Sequence, residues 1–279
     1  MTENLPYQTV EHKGLTIEGY SRAAVQSYWR VPEMKVGFDL GAQPWSFMGT
    51  PNWFVSHAHI DHIVALPVYV SRRRMMKMDP PTIYLPSSTI EPTQQILKQY
   101  VRLDRGRLPC ELLSIEPGDE VDISREHVIT VHKTVHSVDS LGFIAWERRH
   151  KLKAEYQDLS GEEIRDLRLS GTEVTNEIRK PRIAYLGDSV GAGLDNNPEM
   201  YEAEVLILEM TFVTPEHRKE RIDKFGHMHL DDIVERRDRF KNELIIATHF
   251  STRYHPNQIK HHVQRAFPDM LDGRLQLWI

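Results

Sequence analysis

Residues 56–62 read Ser-His-Ala-His-Ile-Asp-His, which puts four potential metal ligands, His57, His59, Asp61 and His62, within six positions. Zinc in a hydrolytic site takes imidazole nitrogen and carboxylate oxygen and keeps one position open for water, so such a cluster is its natural signature. At the end of a strand His57 and His59 share a face, because side chains alternate with period two, and a turn directly afterwards swings Asp61 and His62 to a neighbouring centre. The spacing therefore predicts two adjacent metals at a strand end, with a helix starting in the following IVALPVYV and lying over them. Further donors must come from elsewhere in the chain to complete two coordination spheres.

Those donors are sought where β-rich runs stop. Five runs matter: KVGFDLG (35–41), NWFVSHAH (52–59), HVITVHKTVH (127–136), RIAYLGDS (182–189) and ELIIATHF (243–250). Each is rich in Val, Ile, Phe or Tyr and ends on Gly, Asp, Ser or His, as a buried strand does on emerging at a sheet edge. Their ends supply His136, Asp188 and His249. Alone, Gly187-Asp188 reads as an ordinary turn and His249 equally well as a satisfied buried histidine; the complete set gives them meaning. His132 and His136 are four residues apart in a run that reads as strand, about 13 Å at 3.3 Å per residue, so they cannot share one zinc. His136, at the end of the run, is the candidate, and His132 is left as a structural or surface histidine. Helical spacing at 89–103 (Ile90, Gln94, Leu97, Val101) and 256–267 (Ile259, Val263, Phe267) falls between the strands. Ser160 and Glu163 form a capping-box pattern that starts another helix.

The 279 residues show no repeat and no long linker, which predicts a single domain. A net charge of −5 gives no general attraction to a polyanion, so any nucleic acid must be held by local basic patches. Two clusters offer one, Arg72, Arg73, Arg74 with Lys77, and Arg148, Arg149, Lys151 with Lys153, although each reads equally as a solvated face. The lone Cys110 permits no internal disulfide and suits a reducing compartment. No stretch approaches the roughly 20 apolar residues of a membrane span, and the start MTENLPYQTVEHKG shows no leader pattern. The expectation is a cytoplasmic protein with no membrane contact.

SHAHIDH, His136, Gly187-Asp188 and His249, in that order, resemble the metallo-β-lactamase superfamily. Three further segments narrow the resemblance to the ribonuclease Z family, endonucleases that trim the 3′ end of precursor tRNA. Glu209-Met210-Thr211-Phe212 resembles the family's Glu-x-Thr-Phe, Gly226-His227 its Gly-His element, and His249-Phe250-Ser251-x-Arg253-Tyr254 its terminal His-x-Ser-x-Arg-Tyr. The likeness covers nearly the whole chain and is nearest to the short, plant-type form. The long Gly/Pro-rich arm with which many bacterial members grip tRNA is missing, and a shortened equivalent falls at about 147–181. Ile60 stands where bacterial members commonly have Gly, and Asp139 where Pro is usual.

The resemblance implies an α/β fold, the αββα sandwich, and a homodimer acting on precursor tRNA. It implies two Zn²⁺ per chain, one held by His57, His59 and His136, the other by Asp61, His62 and His249, with Asp188 bridging; Mn²⁺ or Fe²⁺ can substitute at such His/Asp sites. It assigns the proton donor to His227 and the orienting partner to Glu209, with Asp61 at the reacting centre. The implied chemistry is attack of a metal-activated hydroxide on the phosphodiester, His227 protonating the leaving ribose oxygen. His229, two residues on, is the competing donor. Ser251 and Arg253 are candidate contacts to the scissile phosphate. Two other functions fit parts of the pattern: a hydrolase of the same fold acting on a smaller phosphodiester, and an RNA-binding protein that kept the fold without catalysis.

Overall fold

Period-two burial sorts the strand side chains into two buried faces, which only a layered structure can cover. In Val205–Glu209, Val205 and Ile207 join one apolar cluster while Leu206 and Leu208 join another; in Leu244–Thr248, Leu244 and Ile246 separate from Ile245 and Ala247 in the same way. The computed structural model describes residues 5–215 and 225–279, and everything below concerns those residues. The first sheet comprises β1 (Gln8–His12), β2 (Leu15–Arg22), β3 (Gln26–Val31), β4 (Val36–Leu40), β5 (Asn52–Phe54), β6 (Thr82–Pro86) and β7 (Glu111–Ile115), each beside its predecessor. The second comprises β8 (Glu120–Asp122), β9 (His127–Lys133), β10 (Leu141–Leu152), β11 (Thr175–Tyr185), β12 (Val205–Glu209), β13 (Leu244–Thr248) and β14 (Leu275–Leu277). Both start antiparallel and become parallel, at β4 and at β11.

The helices are α1 (Ile60–Ile63), α2 (Leu66–Met75), α3 (Ile90–Asp104), α4 (Gly161–Leu169), α5 (Ala192–Asp195), α6 (Leu230–Glu235) and α7 (Pro256–Ala266). Between the sheets, Trp29, Phe38 and Phe54 meet Phe143, Tyr185 and Ile207, and the rings of Phe38 and Tyr185 stack at 5.1 Å. Leu66, Tyr69, Val70 and Leu97 cover the outer face of the first sheet, and Ile233, Ile259 and Val263 that of the second. The chain is thus an αββα sandwich. The helix expected after SHAHIDH is split into α1 and α2, and the expected capping box opens α4, with Ser160 N donating to Glu163 Oε2 at 2.8 Å. No described helix is long and apolar enough to cross a membrane.

Three strands stop sooner than the residue pattern predicts. β5 ends at Phe54, so His57 and His59 lie in the loop beyond it. There, Ser56 N donates to the side chain of Asp39 at 2.7 Å instead of to a neighbouring strand, which frees the backbone to turn. β9 ends at Lys133 and β11 at Tyr185, each three residues before its candidate ligand; at Val135 the backbone N–H goes to Ser189 Oγ at 3.1 Å. His249 alone follows its strand directly, in the left-handed region at φ 58°. The segment 147–181 is the outer part of the β10–β11 hairpin, carrying α4 at its tip.

Candidate metal centre

The ends of the two sheets meet where these loops emerge, as His249 N donates to Ser21 O at 3.2 Å, and on the first-sheet side Ala24 N donates to Asp61 Oδ2 at 2.9 Å. All seven candidate ligands converge there. Donor atoms of His57, His59, His136 and Asp188 lie within 4.8 Å of one another, as do those of Asp61, His62 and His249. His59 Nδ1 is 3.0 Å from His57 Nε2 and 3.2 Å from His136 Nε2. Asp188 joins the groups through a single oxygen: Oδ2 is 3.7 Å from His57 Nε2, 3.5 Å from His62 Nε2 and 3.4 Å from His249 Nε2. The same carboxylate oxygen thus faces both groups of candidate donors.

The other nitrogen of four of these rings is already committed, which fixes the free lone pair. His62 Nδ1 donates to Asp39 Oδ2 at 2.7 Å and His136 Nδ1 to the Gly226 carbonyl at 2.7 Å. His57 Nδ1 donates to Ser56 Oγ at 3.0 Å, that hydroxyl in turn donating to Asp39 Oδ2 at 2.9 Å. His249 Nδ1 lies 3.0 Å from Thr211 Oγ1. His62 Nε2 and His249 Nε2 are buried with no hydrogen-bond partner, a costly arrangement for any group that does not meet a cation. Burial, reinforced by His62, holds His57 well below the usual imidazole range, and burial with His136 lowers His59, so both present neutral lone pairs. Burial opposes charge on His62, yet Asp188 and Asp39 outweigh it and hold that group well above its ordinary value, so positive charge is favoured at Nε2, as a proton or as a cation in its place. Burial likewise opposes ionisation of Asp188, but His249, His62 and His57 keep it well below the carboxylate range. Orphaned nitrogens, neutral imidazoles and buried carboxylate charge together fit divalent cations.

His227 stands at the rim. Its Nδ1 donates to Glu209 at 3.1 Å, lies 3.8 Å from Asp188 Oδ2, and its ring stacks on His249 at 5.4 Å. Burial disfavours its protonation, but the charge and hydrogen bond of Glu209, with Asp188, push its pKa up to about 9. It also makes a third possible donor group with Asp188 and His249. His229 is elsewhere: buried, it caps α6 by accepting from Asp231 N at 3.1 Å, while its Nε2 donates to Thr214 O at 3.1 Å. Gly226, just before His227, brings this loop against His136. At φ 72°, its added Cβ would lie 2.6 Å from Ser137 N and 2.7 Å from His136 Nδ1, so the loop can approach His136 only with glycine there.

Ser251 is buried, with N donating to Thr211 O at 3.0 Å, and Arg253 is exposed in the same loop. Arg22 clamps that loop, its Nη2 donating to Ser251 O at 3.1 Å and Tyr254 O at 2.9 Å. Arg22 and Asp39 belong to this site without having been expected there, and of the two only Asp39, a carboxylate inside an apolar strand, carries a local signal; Thr211 stands in the Glu-x-Thr-Phe match, but with no role assigned to it from the sequence. His132 points away, hydrogen-bonded to Thr130 and Asn197. The first basic cluster divides, because Arg73 is buried and donates to Met48, Thr50 and Asp79 carbonyls. In the second, Arg148 pairs with Asp122 and Arg149 with Glu147. Asp139 accepts from Ser88 at 2.8 Å, and Ile60 is 75% exposed beside the centre.

Residues 53–250, which span every candidate ligand, match the beta-lactamase superfamily domain. In solved structures the fold recurs in the metallo-beta-lactamase fold protein YhfI from Bacillus subtilis (TM-score 0.62, 15% identity, 93% of this chain and 92% of that one). It recurs also in human tRNase Z, short form (TM-score 0.53, 17% identity, 86% and 87%). At these identities only the fold is shared. Sequence goes further: tRNase Z TRZ1 of Arabidopsis thaliana is 34% identical over 270 residues, covering 96% of this chain and 96% of the relative. With that likeness running end to end through the ligand loops, the chain belongs to the tRNase Z family of the beta-lactamase superfamily.

Proposed function

We propose that this protein is a metal-dependent endoribonuclease that removes the 3′ trailer of precursor tRNA. The observation that carries the reading is His227, held by Glu209 at 3.1 Å and stacked on His249 at the edge of the seven-ligand cluster. Two Zn²⁺ ions, when bound, would supply the Lewis acidity that activates water and stabilises the attacking and leaving oxygens of an in-line displacement. His57, His59 and His136 would hold one, Asp61, His62 and His249 the other, with Asp188 between them. His227 delivers a proton from its outer nitrogen to the leaving ribose 3′ oxygen, since Glu209 occupies Nδ1 and keeps the ring charged and aimed. Ser251 and Arg253 flank the phosphate, and Asp61, held by Ala24 N, fixes the loop beneath the reacting centre.

The reading includes a single domain whose β10–β11 hairpin, at 147–181, is the reduced counterpart of a tRNA-gripping arm. It includes a homodimer, supported by the exposed Ile60, Val64, Val68, Met75, Tyr100 and Leu103, four of which line or border a groove of about 270 Å³ between α2 and α3. It also includes a cytoplasmic place of action, in keeping with the single Cys110.

A smaller phosphodiester is the second reading, favoured by the net acidity, by the burial of Arg73 and by the pairing of Arg148 and Arg149 with carboxylates of the same chain. Incubating zinc-loaded protein with a 3′-extended precursor tRNA and mapping the cut separates the two. The expected products are tRNA ending in a 3′ hydroxyl and a trailer with a 5′ phosphate. Hydrolysis of bis(p-nitrophenyl) phosphate with the precursor left intact would establish the second reading.

A further inference from the structure

Thr211 is buried between two groups to which the function assigns different tasks. Its hydroxyl donates to Glu209 Oε2 in a short hydrogen bond, and its oxygen lies 3.0 Å from His249 Nδ1. The alternative acceptor for its proton, the His249 carbonyl, is at 3.1 Å, and the charged carboxylate is the stronger of the two. A hydroxyl that donates to a carboxylate keeps lone pairs for an incoming donor, so His249 must carry its proton on Nδ1. That leaves Nε2 as a bare lone pair, the buried atom with no partner that lies 3.4 Å from Asp188 Oδ2 and 3.7 Å from Asp61 Oδ2. Ser56 makes the same link on the other side, from Asp39 to His57.

We propose that Thr211 is a positioning residue, which fixes the tautomer of His249 for metal binding and ties it to the carboxylate that orients His227. The proposal rests on the reading of His249 as a ligand and His227 as proton donor. Through this hydroxyl Glu209 acts on both, so a change at Thr211 disturbs one metal site and the proton donor together while leaving the substrate surface alone. The His249 ring is held in a left-handed backbone at φ 58°, which this side-chain anchor, with the Ser21 contact, maintains.

The test compares Thr211→Val, which keeps the shape and removes the hydroxyl, with Thr211→Ser, which keeps the hydroxyl. Metal stoichiometry and affinity are read by competition with a chromophoric chelator, and kcat and KM on precursor tRNA separately. Thr211→Val is expected to weaken one of the two metals about 10- to 100-fold, the range seen when a partner behind a ligand is lost. Its kcat falls with KM within about twofold, and Thr211→Ser restores both within about threefold. Wild-type affinity for both metals in Thr211→Val, or equal failure of Thr211→Ser, would overturn the proposal. A measurement on the unmutated protein covers the case in which Thr211→Val does not fold: in metal-free, ¹⁵N-histidine-labelled protein, His249 is expected to carry its proton on Nδ1. The opposite tautomer would refute the assignment. Neither the metal nor the tautomer readout depends on which phosphodiester is cleaved, so failure here is distinct from failure of the tRNA reading.

Discussion

Two buried carboxylates lie under the metal centre, Asp39 at the end of the first sheet and Glu209 at the end of the second, and each receives four donors. Asp39 accepts from Ser56 N, Ser56 Oγ, His62 Nδ1 and the Tyr185 hydroxyl. Glu209 accepts from Ser189 N, Met228 N, Thr211 Oγ1 and His227 Nδ1. The arrangement is alike but the duties differ. Every side chain on Asp39 either is a ligand candidate, supports one or comes from the facing sheet, so in the proposed mechanism this half serves only to hold metal. Glu209 carries in addition His227, the proposed proton donor, so in the proposed mechanism the second half couples metal holding to proton transfer.

The largest effect is expected at Asp39. Asparagine presents one acceptor oxygen and an NH₂ that confronts the His62 N–H, so Asp39→Asn leaves donors unmet in a fully buried position. Metal affinity is expected to fall about 100-fold, with cleavage lost at metal concentrations that saturate the unmutated protein, as measured by metal analysis and precursor tRNA turnover. Retention of full metal content would show that Asp39 is packing rather than support. Glu209→Gln is next. It removes the charge that holds His227 protonated, and kcat is expected to fall about 100-fold, within the range of general acid catalysis, while metal content changes much less. If the metals leave Glu209→Gln as readily as Asp39→Asn, the two carboxylates do the same job and the contrast between them fails.

This contrast also explains what was legible beforehand. The first-sheet ligands lie within one run of six residues, so their spacing alone speaks of metal. The second-sheet ligands His136, Asp188 and His249 come one per loop, and what marked them was residue type at the end of a β-rich run. The strand ends themselves fall earlier than the residue pattern predicts, as at β5 and β9, where the side chains of Asp39 and Ser189 take the place of a ladder partner. Thr211 stands in the Glu-x-Thr-Phe match, but its link to a metal-ligand candidate is not legible there, since the hydroxyl that bonds Glu209 also meets His249, 38 residues away. Arg73 looked like surface charge in a basic run, and only the phase of α2 against the first sheet turns it inward. Layer order, by contrast, was implied in full by the family resemblance, and the burial alternation along β12 and β13 reproduces it physically.

A smaller effect is expected on the hairpin. Lys151 and Lys153 extend from the end of β10, where the neighbouring arginines are already paired. If this hairpin grips RNA, Lys151→Gln with Lys153→Gln lowers the salt dependence of precursor binding by about one unit of slope per lost phosphate contact, leaving kcat unchanged. An unaltered slope would place the RNA footprint elsewhere and leave the metal end as the only shared surface.

The smallest effect on turnover is expected at His229, two residues from the proposed proton donor. Its ring closes the first turn of α6, accepting from Asp231 N and donating to Thr214 O, so both nitrogens are used structurally. His229→Ala loses a helix cap and one hydrogen bond to the Thr214 carbonyl, for which about 1 to 2 kcal/mol of stability is expected. The midpoint of chemical denaturation should move accordingly, while kcat on precursor tRNA stays within about twofold at temperatures where the variant remains folded. His227→Ala should behave in the opposite way, losing about 100-fold or more in kcat. Equal catalytic loss in both would mean that the rigid α6 cap, and not the Glu209 carboxylate alone, sets the position of the acid, because the only covalent path between the two rings runs through Met228, whose N–H is itself held by Glu209 at 3.1 Å.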